Sequence, residues 1–234
     1  MTSTIIDRVL AFRRQWAGRR LDRRLGIETN EKIGRQGLTG MSTELREHAG
    51  EYAPTNPALF RRMVRKSGVD PNSFTFIDLG CGKGRILIAA ADYPFKEIIG
   101  VEADLALCRV AKQNLRRWAE GRSDGRLKVV HADARKFGWP KGNLFVFMYS
   151  PFSGPVFQQV AERLAAAAGQ PDRAVVIAYS ADWEAGALER AGGFIRVRMR
   201  RRKFWAASTV SFFYNDLANR FVANRQRGLN WTRR

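Results

Sequence analysis

The fold predicted is α/β: a doubly wound sheet, mostly parallel, with an antiparallel strand pair at its C-terminal end and a helical extension in front. Three observations carry this. From Phe74 onward, short apolar runs alternate with amphipathic stretches, the pattern of successive strand and helix units around a parallel sheet. The first run ends in an acid followed by three glycines at alternate positions, a turn that opens a helix. The last two runs, Phe194 to Met199 and Thr209 to Tyr214, follow one another with no helix between them, so they should pair antiparallel across a basic turn.

Near the N-terminus Ile5, Val9, Phe12 and Trp16 recur at helical spacing, with Ile6 and Leu10 widening the stripe and arginines around it. An amphipathic helix is expected there, either packed on the domain or laid on a membrane surface, polyanion or partner. Residues 26–50 collect Gly26, Gly34, Gly37, Gly40 and Gly50 and read as a loop-rich linker. Pro54 and Pro57 then introduce a helix whose apolar face is Leu59, Phe60, Met63 and Val64. Strands are predicted at 74–79, 98–102, 127–131, 144–148 and 174–178. Helices are predicted at 85–91, 105–120, 156–168 and 182–191, with Gly121 and Gly192 as stops.

The stretch Phe76-Ile77-Asp78-Leu79-Gly80-Cys81-Gly82-Lys83-Gly84-Arg85 carries the chemistry. Glycines at this turn let the backbone fold tightly and let a ligand approach the main chain with no Cβ in the way. A dinucleotide fingerprint is excluded, because Arg85 stands near where its third glycine belongs and Gly84 comes one residue early. A P-loop is excluded too, since Lys83 lies inside the glycine run with no Ser or Thr after it. Lys83 and Arg85 are expected to face solvent or substrate.

An acid followed by Gly80, Gly82 and Gly84 resembles the first motif of the class I, Rossmann-like S-adenosylmethionine-dependent methyltransferases, and the resemblance extends over roughly residues 50–215. It implies S-adenosyl-L-methionine as cofactor. Asp78 would hold the glycine loop and, through it, the methionine amine; Gly80, Cys81, Gly82 and Gly84 would form the cradle. Glu102, ending the second strand, would accept from the ribose hydroxyls. Asp133 and the Ala134 amide, after the third strand, would meet the adenine. Tyr52, in Glu51-Tyr52-Ala53-Pro54-Thr55, is similar to the segment that closes over the methionine end in seven-strand protein lysine methyltransferases. The fourth-strand loop Tyr149-Ser150-Pro151-Phe152 falls where the family places its acceptor loop, with Ser150 standing where amine-methylating relatives have Asn or Asp. Ser150, Pro151 and Phe152 are therefore the candidates for positioning the acceptor. Taken singly, Glu102 also reads as a solvated strand-end acid, Asp133 as a turn former and Tyr52 as a residue packed under a proline turn. Their common order and spacing favours the cofactor reading. The division expected is an extension at 1–50, a methyltransferase domain at 51–215 and a basic tail at 216–234.

Charge bears on the acceptor. The 234 residues carry 41 Lys and Arg against 22 Asp and Glu, a net +19, concentrated before Gly26 and after Arg190. Arg196, Arg198, Arg200, Arg201, Arg202 and Lys203, followed by Phe204 and Trp205, would suit a nucleic acid, while the motif wording favours a protein amine; a non-catalytic binding domain is the third reading. Cys81 and Cys108 with His48 and His131 make neither a metal motif nor a disulfide framework, which suits a reducing cytoplasm. With 45% hydrophobic residues and no run long enough for a membrane span or a secretory signal, disordered, collagen-like and membrane-spanning classes are excluded.

Overall fold

Seven strands form one sheet in the order β3-β2-β1-β4-β5-β7-β6 in a computed structural model that describes residues 5–199 and 209–228. The strands are β1 (Phe74–Leu79), β2 (Ile98–Glu102), β3 (Leu127–His131), β4 (Asn143–Tyr149), β5 (Val175–Ser180), β6 (Ile195–Arg198) and β7 (Val210–Tyr214). β1 to β5 run parallel; β7 lies antiparallel to β5, and β6 antiparallel to β7. All six residues of β1 are buried, as expected for a central parallel strand covered on both faces. Edge strand β6 is mostly exposed, and its Arg196 and Arg198 place charge where an open edge would otherwise recruit another strand.

The helices are α1 (Ile5–Leu25), α2 (Thr43–His48), α3 (Pro57–Ser67), α4 (Arg85–Ala90), α5 (Leu105–Ala119), α6 (Gly154–Ala168), α7 (Ala185–Ala191) and α8 (Asp216–Gly228). On one face of the sheet α3, α4 and α8 bring Phe60, Met63, Ile86 and Ala218 against Phe76, Phe145 and Phe147. Phe60 meets Phe76 edge-on at 5.3 Å and Phe147 at 5.6 Å, a favoured aromatic geometry. On the other face α6 and α7 seat Phe157, Val160, Leu164 and Leu188 on Ile77, Val146 and Ile177. Gly121 and Gly192, at φ 71° and 78°, stand just past the ends of α5 and α7.

β1 is flanked by β2 and β4, so the chain turns to opposite sides of the sheet on leaving β1 and β3. That reversal opens a crevice beyond the C-terminal ends of β1 and β4, where open α/β sheets bind their ligands. Residues 26–50 are ordered over this crevice. They contain a short 3₁₀ turn (Arg35–Gly37) and α2, and they form two antiparallel bridges, Ile33 with Tyr52 and Ala49 with Phe152. The C-terminal half of α1 fits closely against them: a Cβ on Gly18 would stand 1.8 Å from Asn30 Oδ1. Trp16, the last residue of the apolar stripe, is 53% exposed with the Arg20 guanidinium 5.6 Å over its ring. The stripe's side chains before Gln15 and the basic run Arg200 to Trp205 lie outside the described residues.

Candidate functional site

The crevice is floored by the glycine loop between β1 and α4. Gly80, Gly82 and Gly84 take φ values of 76°, 54° and 82°, a left-handed backbone that side chains disfavour. Close approach reinforces the requirement. A Cβ on Gly80 would lie 2.5 Å from Pro151 Cβ, and one on Gly82 would lie 2.3 Å from the Tyr52 ring. Gly80 N and Cys81 N donate to Val101 O, at 2.9 and 3.1 Å, which ties the loop to β2. Cys81 packs its sulfur toward Gly100 and is buried, and burial raises its thiol pKa well above the ordinary value.

Two acids face the loop from adjacent strands. Asp78, at the tip of β1, lines the crevice with only 4% exposure, and its carboxyl has no hydrogen-bond partner among the described residues. Burial, then the nearby Glu102 carboxylate, pushes its pKa well above the usual carboxylate range. Glu102, at the tip of β2, accepts from Gly82 N at 2.7 Å through one oxygen and from Asp104 N at 2.9 Å through the other. Burial raises it to about 7, partly offset by those same amides. A second lone pair remains on each oxygen for a ligand hydroxyl.

Segment 22–52 forms the roof. Tyr52 lies on Gly82, donates its hydroxyl to Thr29 O at 2.7 Å, and has Lys83 Nζ 5.8 Å over its ring. Lys83 and Arg85 do not face solvent as the sequence suggested, being 2% and 7% exposed; Arg85 lines the crevice and Lys83 does not. Lys83 Nζ reaches Glu28 at 2.7 Å and Glu31 at 3.4 Å, while Arg85 donates to Thr29 Oγ1 at 2.6 Å and Asp22 Oδ1 at 3.1 Å. The reason is local charge: Asp22, Glu28 and Glu31 fold back on Lys83 and Arg85. Asn114 on α5 joins both layers, donating to Lys83 O and Glu28 O and accepting from Glu28 N. Asp104 caps α5 by accepting from Leu107 N, and its other oxygen accepts from Gly40 N at 2.7 Å.

At the acceptor side, β4 is followed by Ser150 with φ 43°, then Pro151 and Phe152. Gly50 N donates to Pro151 O at 2.9 Å, and Ser153 N to His48 O at 2.8 Å, so the loop carries a short strip of the roof along its backbone. Pro151 and Tyr149 line the crevice. The Phe152 ring packs at 5.7 Å on Phe157, with the core beneath the loop. Asp133 is engaged locally, its carboxylate accepting from Arg135 N at 2.8 Å and Arg135 Nε at 2.9 Å. Arg135 in turn holds Glu44 at 2.6 Å. Asp133, Ala134, Gly84, Ser150 and Phe152 are not on the crevice wall; Tyr52, Asp78, Gly80, Cys81, Gly82, Glu102 and Pro151 are. Leu38, Met41 and Leu107 add apolar surface to that wall.

The sequence reading did not single out Asp22, Glu28, Thr29, Asp104 or Asn114. Only Asp104 had a local signature, an acid one residue before an amphipathic helix. Among the described residues no group of His, Cys, Asp and Glu is arranged to hold a metal ion, and no helix is long and apolar enough to cross a membrane.

An unpartnered buried carboxyl beside a left-handed glycine cradle suits a ligand with an ammonium group and hydroxyls, as S-adenosylmethionine has. Residues 76–170 match a family model described as a methyltransferase domain. Fold, cradle and match define the class: this stretch is an S-adenosylmethionine-dependent methyltransferase domain. More particularly, the chain is 40% identical over 65 residues to a protein-lysine N-methyltransferase of Saccharolobus islandicus, an alignment covering 27% of this chain and 40% of that one. The chain thus spans less than half the length of that curated relative. Among solved structures it is similar to an RNA methyltransferase from Salinibacter ruber in complex with S-adenosyl-L-homocysteine (TM-score 0.47, 20% identity, 70% of this chain and 94% of that one). It is also similar to a predicted N6-adenine-specific DNA methylase from Listeria monocytogenes (TM-score 0.50, 15% identity, 69% and 51%).

Proposed function

We propose that the chain transfers a methyl group to an amine of a protein, of the lysine type. The observation that carries the acceptor class is its 40% identity over 65 residues with a protein-lysine N-methyltransferase. S-adenosylmethionine supplies a sulfonium-activated methyl group when bound. In this reading Asp78 holds the ammonium of the methionine end, the backbone of Gly80, Cys81, Gly82 and Gly84 cradles it, and Tyr52 covers it. Glu102 orders the loop through Gly82 N and offers its remaining lone pairs to the ribose; Asp133 and Ala134 bound the adenine end. Pro151 on the crevice wall positions the acceptor, with Ser150 setting the loop's turn and Phe152 seating it on the core. Displacement at a methyl carbon requires an unprotonated amine aligned with the breaking bond, so positioning supplies much of the rate.

The test is transfer of a radiolabelled methyl group from the cofactor to a cell lysate, followed by separate protease and nuclease digestion. Label released by protease and recovered as methyl-lysine supports the reading. Label released by nuclease overturns it in favour of the nucleic-acid acceptor that the net +19 charge would suit.

A further inference from the structure

Among the described residues only two that are not glycine take a positive φ: Ser150 at 43° and Ala181 at 52°. They follow Tyr149 and Ser180, which face each other across the β4–β5 ladder. Two strained turns therefore stand side by side at the C-terminal edge of the sheet. Such conformations are costly for a residue with a side chain and concentrate where a site is held in place.

The first turn carries the acceptor loop. The second presents Trp183, which at 77% is the most exposed large apolar side chain among the described residues. The turn is well anchored. Ala181 N donates to Thr209 O at 2.8 Å, and Asp182 accepts from the Ser211 and Thr209 hydroxyls and from Arg196 at 2.8 Å. The next residue, Glu184, turns back to the acceptor loop: its Oε1 accepts from Gly154 N at 3.1 Å, and its own amide donates to the Tyr179 hydroxyl at 3.4 Å. Trp183 is thus fixed beside the loop, on a rigid support, with its ring turned to solvent.

Among the described residues, acidic side chains border it in a chain of net +19. Glu184 adjoins it, and exposed Glu47 and Glu51 flank the His48–Gly50 strip that pairs with the acceptor loop. Of the described cations nearby, Arg196 is shared between Asp182 and Glu189, and Arg190 is drawn back along its own helix against Gly186 and toward Gln158. A phosphate arriving here meets carboxylates, whereas an ammonium meets carboxylates and an indole face, the best aromatic partner for a cation.

We propose that Trp183 is a specificity-determining residue that receives the ammonium of a lysine-bearing segment of the acceptor protein, with Glu184 and Glu51 supplying the complementary charge. This rests on the protein-amine reading. The test uses the full chain with three probes: a fluorescent oligolysine peptide, the same peptide acetylated on its lysines, and a single-stranded oligonucleotide. Trp183→Ala is expected to weaken oligolysine binding and raise its KM about five- to thirtyfold, with cofactor affinity as in the wild type. Trp183→Tyr should recover most of the loss, the acetylated peptide should show no dependence on residue 183, and Trp16→Ala, removing an exposed tryptophan elsewhere, should change nothing.

If the wild type methylates oligolysine and Trp183→Ala leaves its KM unaltered, the assignment is overturned while the lysine reading stands. Peptide binding that depends on Trp183 without methyl transfer upholds Trp183 as the ammonium-binding residue and overturns its role in acceptor choice together with the lysine reading. Dependence confined to the oligonucleotide, or no peptide binding at all, overturns the assignment.

Discussion

Arg85, in the first turn of the helix that follows the glycine loop, is bound to Asp22 of the N-terminal helix at 3.1 Å, across 63 residues of sequence, with both side chains largely buried. Asp22 also accepts from Thr29 N, Thr29 Oγ1 and Asn30 N, so one carboxylate organises the start of the roof and fastens it to the floor. Asp22→Ala would leave a buried guanidinium short of its partner and three donors unsatisfied. We expect a loss of about 3–5 kcal/mol, read by urea denaturation. A loss below about 1 kcal/mol would show that the roof contributes little to the folded state.

The carboxyl of Glu102 gives a pH dependence with a definite sign. Its folded pKa, raised by burial from 4.5 to about 7, means that the folded state binds the proton more tightly than the unfolded one. Stability from this group is therefore fully present below pH 4.5, declines as pH rises toward 7, and is flat above that. The span corresponds to roughly 3 kcal/mol. Asp78, shifted the same way, adds to the decline. Glu102→Gln should flatten much of this slope in thermal melts taken from pH 4.5 to 8 while weakening cofactor binding; a slope equal to the wild type's would contradict the assignment.

Gly82→Ala tests the cradle. The substitution adds a left-handed penalty of about 1–2 kcal/mol and drives a methyl into the Tyr52 ring. Calorimetric titration with S-adenosyl-L-homocysteine should show affinity reduced about tenfold or more. The double variant with Tyr52→Ala should recover only part, because the backbone penalty remains when the clash is gone.

Gly50→Ala separates the two halves of the site. A Cβ there would lie 2.5 Å from Ser150 O, so the acceptor loop must shift, whereas none of the three atoms nearest that Cβ belongs to the glycine loop. The expected outcome is kcat lowered about tenfold or more with cofactor affinity within twofold of the wild type. Equal losses in both measurements would mean that the strip and the glycine loop move as one piece.

Much of the floor of this site was legible in the sequence, because its signals are local. Strand β1, its terminal acid and the glycines at alternate positions lie within ten residues, and their spacing alone demands a tight turn before a helix. The predicted strands and helices fall where hydrophobic period placed them, with boundaries displaced by a residue or two; α7 starts three residues late because Ala181 to Glu184 form the strained turn, while α2 and α8, in the stretches read as linker and tail, were not foreseen. The roof was not legible. Lys83 lies 55 residues from Glu28, and nothing local distinguishes a lysine that will be buried under acids from one that will be solvated. The glycines of residues 26–50, read as marks of a loose linker, include positions of close approach: Gly40 against the α5 N-terminus and Gly50 against Ser150 O.

Order of synthesis now takes on meaning. Asp22, Glu28 and Glu31 leave the ribosome well before Lys83 and Arg85, and the sheet that supports those cations must assemble before the acids have anywhere to dock. Pairings across so many residues form late, because the chain entropy of closing the loop has to be offset by structure already in place. The roof acids are then expected to seat after the sheet that bears Lys83 and Arg85, and a chain caught before that step would have its glycine loop uncovered.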